Sequence, residues 1–274
     1  MRLVLPQFPA YATPLDKAGW WALRLAGVGT LLFLLLPILA IVPLSFSDSS
    51  FLVYPIQGWS LKWYRNLFES SEWTRAARNS FIVAPGATVL ATVLGTMAAV
   101  GLSRADFPFK GTLMSLLIAP MVVPIVVVGV GTYLFFAKLG LNDSYLGLIV
   151  VHAALGAPFV LTTVLATLQG FNHNLVRASL GLGAGPLQTF VRVTLPVIAP
   201  GVISGALFAF ATSFDEVVVT LFLAGPEQVT LPRQMFTGIR ENISPTIAAV
   251  ATLLILFTTS LLLALEWIRG RRTS

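Results

Sequence analysis

The residues able to do chemistry are few, and two of them stand together. Asp215 and Glu216 close a long uncharged stretch, directly after Ser213 and Phe214, and the apolar run Val217–Ala224 continues beyond them. Charge in apolar surroundings is costly and is usually kept where it faces a cavity or a partner. Neighbouring residues on a helix point about 100° apart, so the two acids are expected to have different roles. Three readings stay open: one lines a path that attracts a cation while the other holds a basic group or helix end; both hold structure; or both couple to an ion gradient. The only histidines are His152 and His173, and there is no cysteine. His/Cys metal sites, disulfides and thiol chemistry are therefore excluded. His152 lies in an apolar segment and is expected to make a polar helix contact; His173 is expected to help cap a short helix. No G-x-x-x-x-G-K-[ST] phosphate loop occurs. Energy for any vectorial work must come from a partner or from a gradient.

A second concentration lies at residues 172–195. It carries Arg177 and Arg192 and no acid. Leu175, Ala178 and Leu182, then Phe190 and Val193, recur near helical spacing and predict a short amphipathic helix. Gly181, Gly183, Gly185 and Pro186 break it. Ala178 and Ser179 are small enough to let such a helix seat deeply in a partner, and Gly183 permits a sharp exit.

The elements that must position these residues are membrane helices. Of 274 residues, 56% are hydrophobic and 10% charged, against about a quarter charged in a soluble domain. The net charge of +6 contains no long basic run and suits the flanks of membrane helices better than a nucleic-acid surface. Six stretches lack charge for the roughly 20 residues that a spanning helix needs: Leu25–Ser47, Asn79–Ser103, Gly111–Ala137, Ser144–Gln169, Val193–Phe214 and Asn242–Leu265. None alternates polar and apolar residues, so helices rather than a barrel are expected. The first begins near Trp20 and is too long for a cleavable signal core, so it reads as an anchor. Placing both termini inside puts the larger share of the 17 Lys and Arg on the cytoplasmic side, with Arg269-Gly-Arg271-Arg272 the clearest element.

Within this frame, Leu61–Phe68 is aromatic and basic and predicts a short interfacial helix. Pro120 and Pro124 predict a kink in the third stretch. Gly201 and Gly205 form a G-x-x-x-G for close contact with another helix, in this chain or in a second subunit. No internal repeat supports the inverted-repeat architecture of many secondary transporters.

The 172–195 loop resembles the cytoplasmic loop of binding-protein-dependent ABC importer permeases. That pattern is Glu-Ala-Ala, three residues, Gly, nine residues, Ile, one residue, Leu-Pro. Arg177, Ala178, Ser179, Gly183, Val193, Leu195 and Pro196 occupy the matching positions. Arg177 stands in place of the Glu, Ser179 of the second Ala and Val193 of the Ile. Asn79-Ser80-Phe81, the run Ser213–Phe222 and Leu231-Pro232 resemble the second permease subunit of polyamine (spermidine/putrescine) importers, a subgroup that also includes importers of ferric iron and phosphonates.

The resemblance implies an all-α membrane protein with six transmembrane helices and the type I ABC importer permease (MetI-like) fold. It implies one permease domain over 1–274, with a cytoplasmic N-terminal segment (1–19), a cytoplasmic coupling loop (172–195) and a basic cytoplasmic tail (266–274). Arg177, Ala178, Ser179, Leu182, Gly183 and Ala184 would contact the ATPase; Ser213, Phe214, Asp215 and Glu216 would belong to the substrate path or gate. The expected partners are a second permease, two copies of an ATP-binding subunit, an extracytoplasmic solute-binding protein and membrane lipid, without nucleic acid. The chain itself would be no enzyme and hold no cofactor, ATP and Mg²⁺ belonging to the ATPase. The expected location is the bacterial inner membrane. The alternatives are an importer of the same family for another small solute, ferric iron or a phosphonate, and a gradient-driven transporter using Asp215 and Glu216; a membrane enzyme is disfavoured by the lack of a polar catalytic cluster.

Overall fold

The computed structural model describes residues 13–104, 107–241 and 243–270, with side chains in the last stretch to Leu261 and at Leu263. The described residues are helical apart from turns and one isolated antiparallel bridge, Ser47 with Trp59. They form two compact units. One takes the N-terminal residues to Leu67 together with those from 243 onward; the other runs from Phe68 to Glu241.

In the first unit, α1 (Pro14–Leu44) starts at Thr13. Thr13 and Asp16 cap each other reciprocally and Pro14 takes the first turn, where its missing N–H costs nothing. The helix is apolar on every side and buries none of its residues, the pattern of a helix solvated by lipid. Its exit is tied down by polar contacts. The Ser45 hydroxyl lies 2.7 Å from the Tyr64 hydroxyl, and the Trp63 indole N–H donates to the Ser47 carbonyl at 2.8 Å. Both aromatics sit on α2 (Lys62–Glu69), the expected interfacial helix.

The second unit is built on three helices. α3 (Ser71–Arg104) buries Ala87, Ala91, Gly95 and Ala99, a stripe of small residues at four-residue spacing. The third uncharged stretch breaks instead of bending gently. It forms α4 (Lys110–Ile118), a 3₁₀ turn and α5 (Ile125–Leu139), with a 99° bend between the two arms. Pro124 explains the break. It disfavours helical geometry at Val123 and lacks the N–H the helical ladder needs. Its own backbone is extended, and its carbonyl starts α5 by accepting from Val127 N–H.

α6 (Tyr145–Gln169) then crosses the core, capped by Ser144. The loop beyond it holds α7 (Asn174–Gly181) and α8 (Pro186–Thr189), and a π turn leads into α9 (Leu195–Phe214). α3, α6 and α9 pack on one another around Ala91, Val160, Val164, Ile198 and Ala209. The G-x-x-x-G finds its partner inside this chain. Gly201, Gly205 and Ala209 form one face of α9, and that face lies against Thr163, Val160 and Gly156 of α6. Short α10 (Val218–Leu223) packs on α5, and α11 (Leu231–Glu241) on α3. α12 (Pro245–Gly270) belongs to the first unit and packs on α1.

Among the described residues, four helices are long and apolar enough to cross a membrane: Pro14–Leu44, Ser71–Arg104, Tyr145–Gln169 and Pro186–Phe214. The bent α4–α5 pair makes a fifth if it counts as one span, while Pro245–Leu261 is a shorter apolar helix. Four or five of the six spans expected from charge gaps are thus found among the described residues; the last, Asn242–Leu265, runs into residues whose side chains are not described. A charge gap measures composition, and two prolines can divide a stretch without adding any charge.

Candidate functional site

The acid pair is resolved by the turn it occupies. α9 ends at Phe214, and Asp215 is its C-cap, with its N–H donating to the Ala211 carbonyl. The chain restarts as α10, whose first N–H groups need partners. Glu216 supplies them. Its carboxylate accepts from Val219 N–H at 3.0 Å and from Thr220 N–H at 3.1 Å, with the Thr220 hydroxyl at 3.4 Å, and the residue is 5% exposed. Asp215 is exposed, and its side chain makes no hydrogen bond or ion pair with any described residue. The 100° separation expected on one helix becomes a difference between an exposed carboxylate and a buried cap.

His152 on α6 completes the buried side. Its Nδ1 lies 2.9 Å from the Ser213 hydroxyl and its Nε2 3.2 Å from the Thr220 hydroxyl and 3.9 Å from the Glu216 carboxylate. The expected polar helix contact is therefore present, and it reaches two elements at once. Phe214, the residue before Asp215, belongs to an aromatic cluster. Phe214 meets Phe81 edge-on at 5.6 Å and stacks on Phe210 at 5.3 Å.

The same end of the unit is fastened by a polar clasp. Asn79 on α3 donates to the carbonyls of Glu227 and Val229, both at 2.8 Å, and accepts from the Tyr145 hydroxyl at 2.7 Å. The neighbouring Ser80 hydroxyl accepts from Leu231 N–H. Arg75 pairs with the Glu227 carboxylate at 2.9 Å. The Arg233 guanidinium donates to the Thr220 and Ala224 carbonyls. Burial lowers the pKa of this guanidinium, and the charge of Asp143 acts in the opposite sense.

At the opposite end, α7 and α8 fold back on each other. The Ser179 and Thr189 hydroxyls bond at 3.0 Å. Gly183 has φ +85°, a left-handed conformation that only glycine takes without strain, so the expected sharp exit is there. Leu182 and Ala184 flank it, Leu182 being 89% exposed and Ala184 half-buried. Leu187 is 76% exposed. Arg177 and Ala178 are exposed, and the Arg177 side chain has no partner among the described residues. His173 does not cap α7 with its side chain. Its ring lies edge-on to Phe171, and the Asn172 side chain takes the Asn174 N–H instead. Asparagine closes such a turn through its own carbonyl, two residues back, which imidazole is too long to do.

Residues 91–273 match the family described as "Binding-protein-dependent transport system inner membrane component". The chain belongs to this family. It is 30% identical over 241 residues to the spermidine/putrescine transport system permease protein PotC of Escherichia coli (strain K12), covering 88% of this chain and 91% of that one. To the putrescine transport system permease protein PotI of the same strain it is 35% identical over 231 residues, covering 81% and 82%. Its fold resembles that of a chain in the crystal structure of a bacterial ABC transporter involved in the import of the acidic polysaccharide alginate. The TM-score is 0.74 at 15% identity, covering 96% of this chain and 99% of that one.

As an inner membrane permease of an ABC transporter, the chain brings Ser213, Phe214 and Glu216 together with His152 and leaves Asp215 apart. Sequence reasoning missed the packing of Phe81 and Phe210 on Phe214, and the bonds of Asn79 and Tyr145 in the clasp. The signal was faint but present: Asn79-Ser80-Phe81 is a polar–polar–aromatic start to an otherwise apolar stretch, and polar groups at such a place need partners.

Proposed function

We propose that this permease is a transmembrane subunit of an ATP-driven importer of polyamines, spermidine or putrescine. It forms the translocation path with a second permease, receives its cargo from an extracytoplasmic binding protein, and is driven by two copies of a cytoplasmic ATPase that hold ATP and Mg²⁺. Both termini and the 172–195 loop face the cytoplasm. In the loop, Ala178, Ser179 and Gly183 seat α7 in the ATPase, with Leu182 and Ala184 at its edge and Arg177 facing an acidic group there or water.

The observation that carries the substrate reading is the exposed Asp215 carboxylate directly after Phe214, whose ring packs with Phe81 and Phe210. A polyamine alternates ammonium groups with methylene runs. A carboxylate takes the first and ring faces take both, through cation–π attraction and apolar contact. The names of the relatives point the same way. Glu216 is engaged in capping α10, so coupling an ion gradient through a free carboxylate pair has no support, and an exposed acid would repel a phosphonate.

The test is Asp215→Asn in the complex assembled with its partners. Normal assembly with uptake of labelled spermidine lowered about tenfold, a loss of about 1.4 kcal/mol of stabilisation, is the expected result. Wild-type uptake would remove Asp215 from the path.

A further inference from the structure

We propose that His152 is a positioning residue for the Asp215 carboxylate, holding the chain on both sides of it; the inference rests on the reading of Asp215 as the group that meets the substrate. His152 is 1% exposed and lies on α6, one of the three central helices. Its two ring nitrogens reach Ser213, two residues before Asp215, and Thr220, five residues after it. With the proton on Nε2, each hydroxyl has a partner on the ring. The Ser213 hydroxyl donates to Nδ1, Nε2–H donates to the Thr220 oxygen, and the Thr220 hydroxyl donates to the Glu216 carboxylate, which also takes the first N–H groups of α10. The other tautomer would turn the Thr220 proton toward the ring and away from Glu216.

Asp215 is the joint between α9 and α10, with φ −97° and ψ 0°. The direction of its side chain is set by how the last turn of α9 meets the first turn of α10. His152 bonds to both turns from a third helix. An apolar side chain of similar size would fill the same space and bond to neither turn. The hydrogen bonds fix an angle as well as a volume. That angle sets the direction in which the carboxylate stands.

The experiment is a double-mutant cycle on uptake of labelled spermidine. It uses the full complex, at saturating loaded binding protein, with co-purification of the subunits as the assembly control. His152→Leu removes both bonds, Asp215→Asn removes the charge, and the third variant carries both changes. If His152 acts through Asp215, each single change lowers uptake about tenfold and the double variant falls no further than about tenfold, whereas independent effects would multiply to about a hundredfold. His152→Gln, which keeps a donor toward Thr220, recovers part of the loss. Ser213→Ala and Thr220→Val each break one arm with little change in volume, and they replace His152→Leu in the cycle if that variant does not assemble. Multiplying losses, or wild-type uptake in His152→Leu, Ser213→Ala and Thr220→Val while Asp215→Asn is impaired, overturns the positioning role alone. Wild-type uptake in Asp215→Asn overturns the reading of Asp215 and the positioning role with it.

Discussion

Gly205 and Val160 meet backbone to backbone: a methyl group added to Gly205 would stand 2.7 Å from the Val160 Cα and 2.5 Å from the Thr163 hydroxyl. Backbone cannot swing aside as a side chain end can. Gly205→Ala should therefore push α9 off α6 and cost about 1–3 kcal/mol, as overpacking does. Gly101→Ala, on α3 with nothing within 4 Å of the added carbon, should be neutral or stabilise by up to about 1 kcal/mol through helix propensity. Thermal unfolding of the purified permease in detergent compares the two. Equal stability of both variants would contradict the close approach.

The clasp at Asn79 predicts a gradation. Asn79→Ala leaves the Val229 carbonyl without its partner and the Glu227 carbonyl and the Tyr145 phenol with only their mutual 3.4 Å bond, and should lower stability by about 2 kcal/mol. Arg75→Ala breaks only a half-exposed ion pair with Glu227 and should cost less than about 1 kcal/mol. The same unfolding measurement ranks them, and Arg75→Ala being the more damaging would reverse the assignment of the clasp to Asn79.

In the 172–195 loop, Ala178→Glu places a bulky acid at an exposed position, so the chain should insert and fold as before. What should disappear is ATP hydrolysis stimulated by loaded binding protein, because a charge forced into a close protein contact without a partner is strongly unfavourable. Stimulated hydrolysis at the wild-type level would argue against a seat for α7 in the ATPase.

Topology is tested by reporter fusions after Gly140 and after Ser274. The proposed orientation puts them on opposite sides of the membrane. Two reporters on the same side would require a different path for the bent α4–α5 pair.

The core was legible in the sequence where local spacing carries the information. Gly201 and Gly205 announced a close helix contact, and Gly183 a sharp turn. Pro120 and Pro124 marked a kink, but not its 99°, because a proline tells where the ladder of hydrogen bonds is interrupted and not which way the chain then runs. Asp215 and Glu216 could be assigned different roles but not sorted, since the sorting depends on a helix restarting at Val218. His152 and Asn79 were opaque for a plainer reason. Their partners lie 61 and 148 residues away in the chain, and no spacing rule reaches so far.

The leucines of the 172–195 loop bear on how the subunit is made. Leu182, just after α7, and Leu187, on α8, stand exposed, and no described residue covers them. A copy synthesised in excess of the proposed partners would keep this sticky point on display, and such surfaces invite aggregation and recognition by quality-control proteases. Matched synthesis of the subunits, or rapid clearance of orphans, follows as a demand placed on the cell by two side chains.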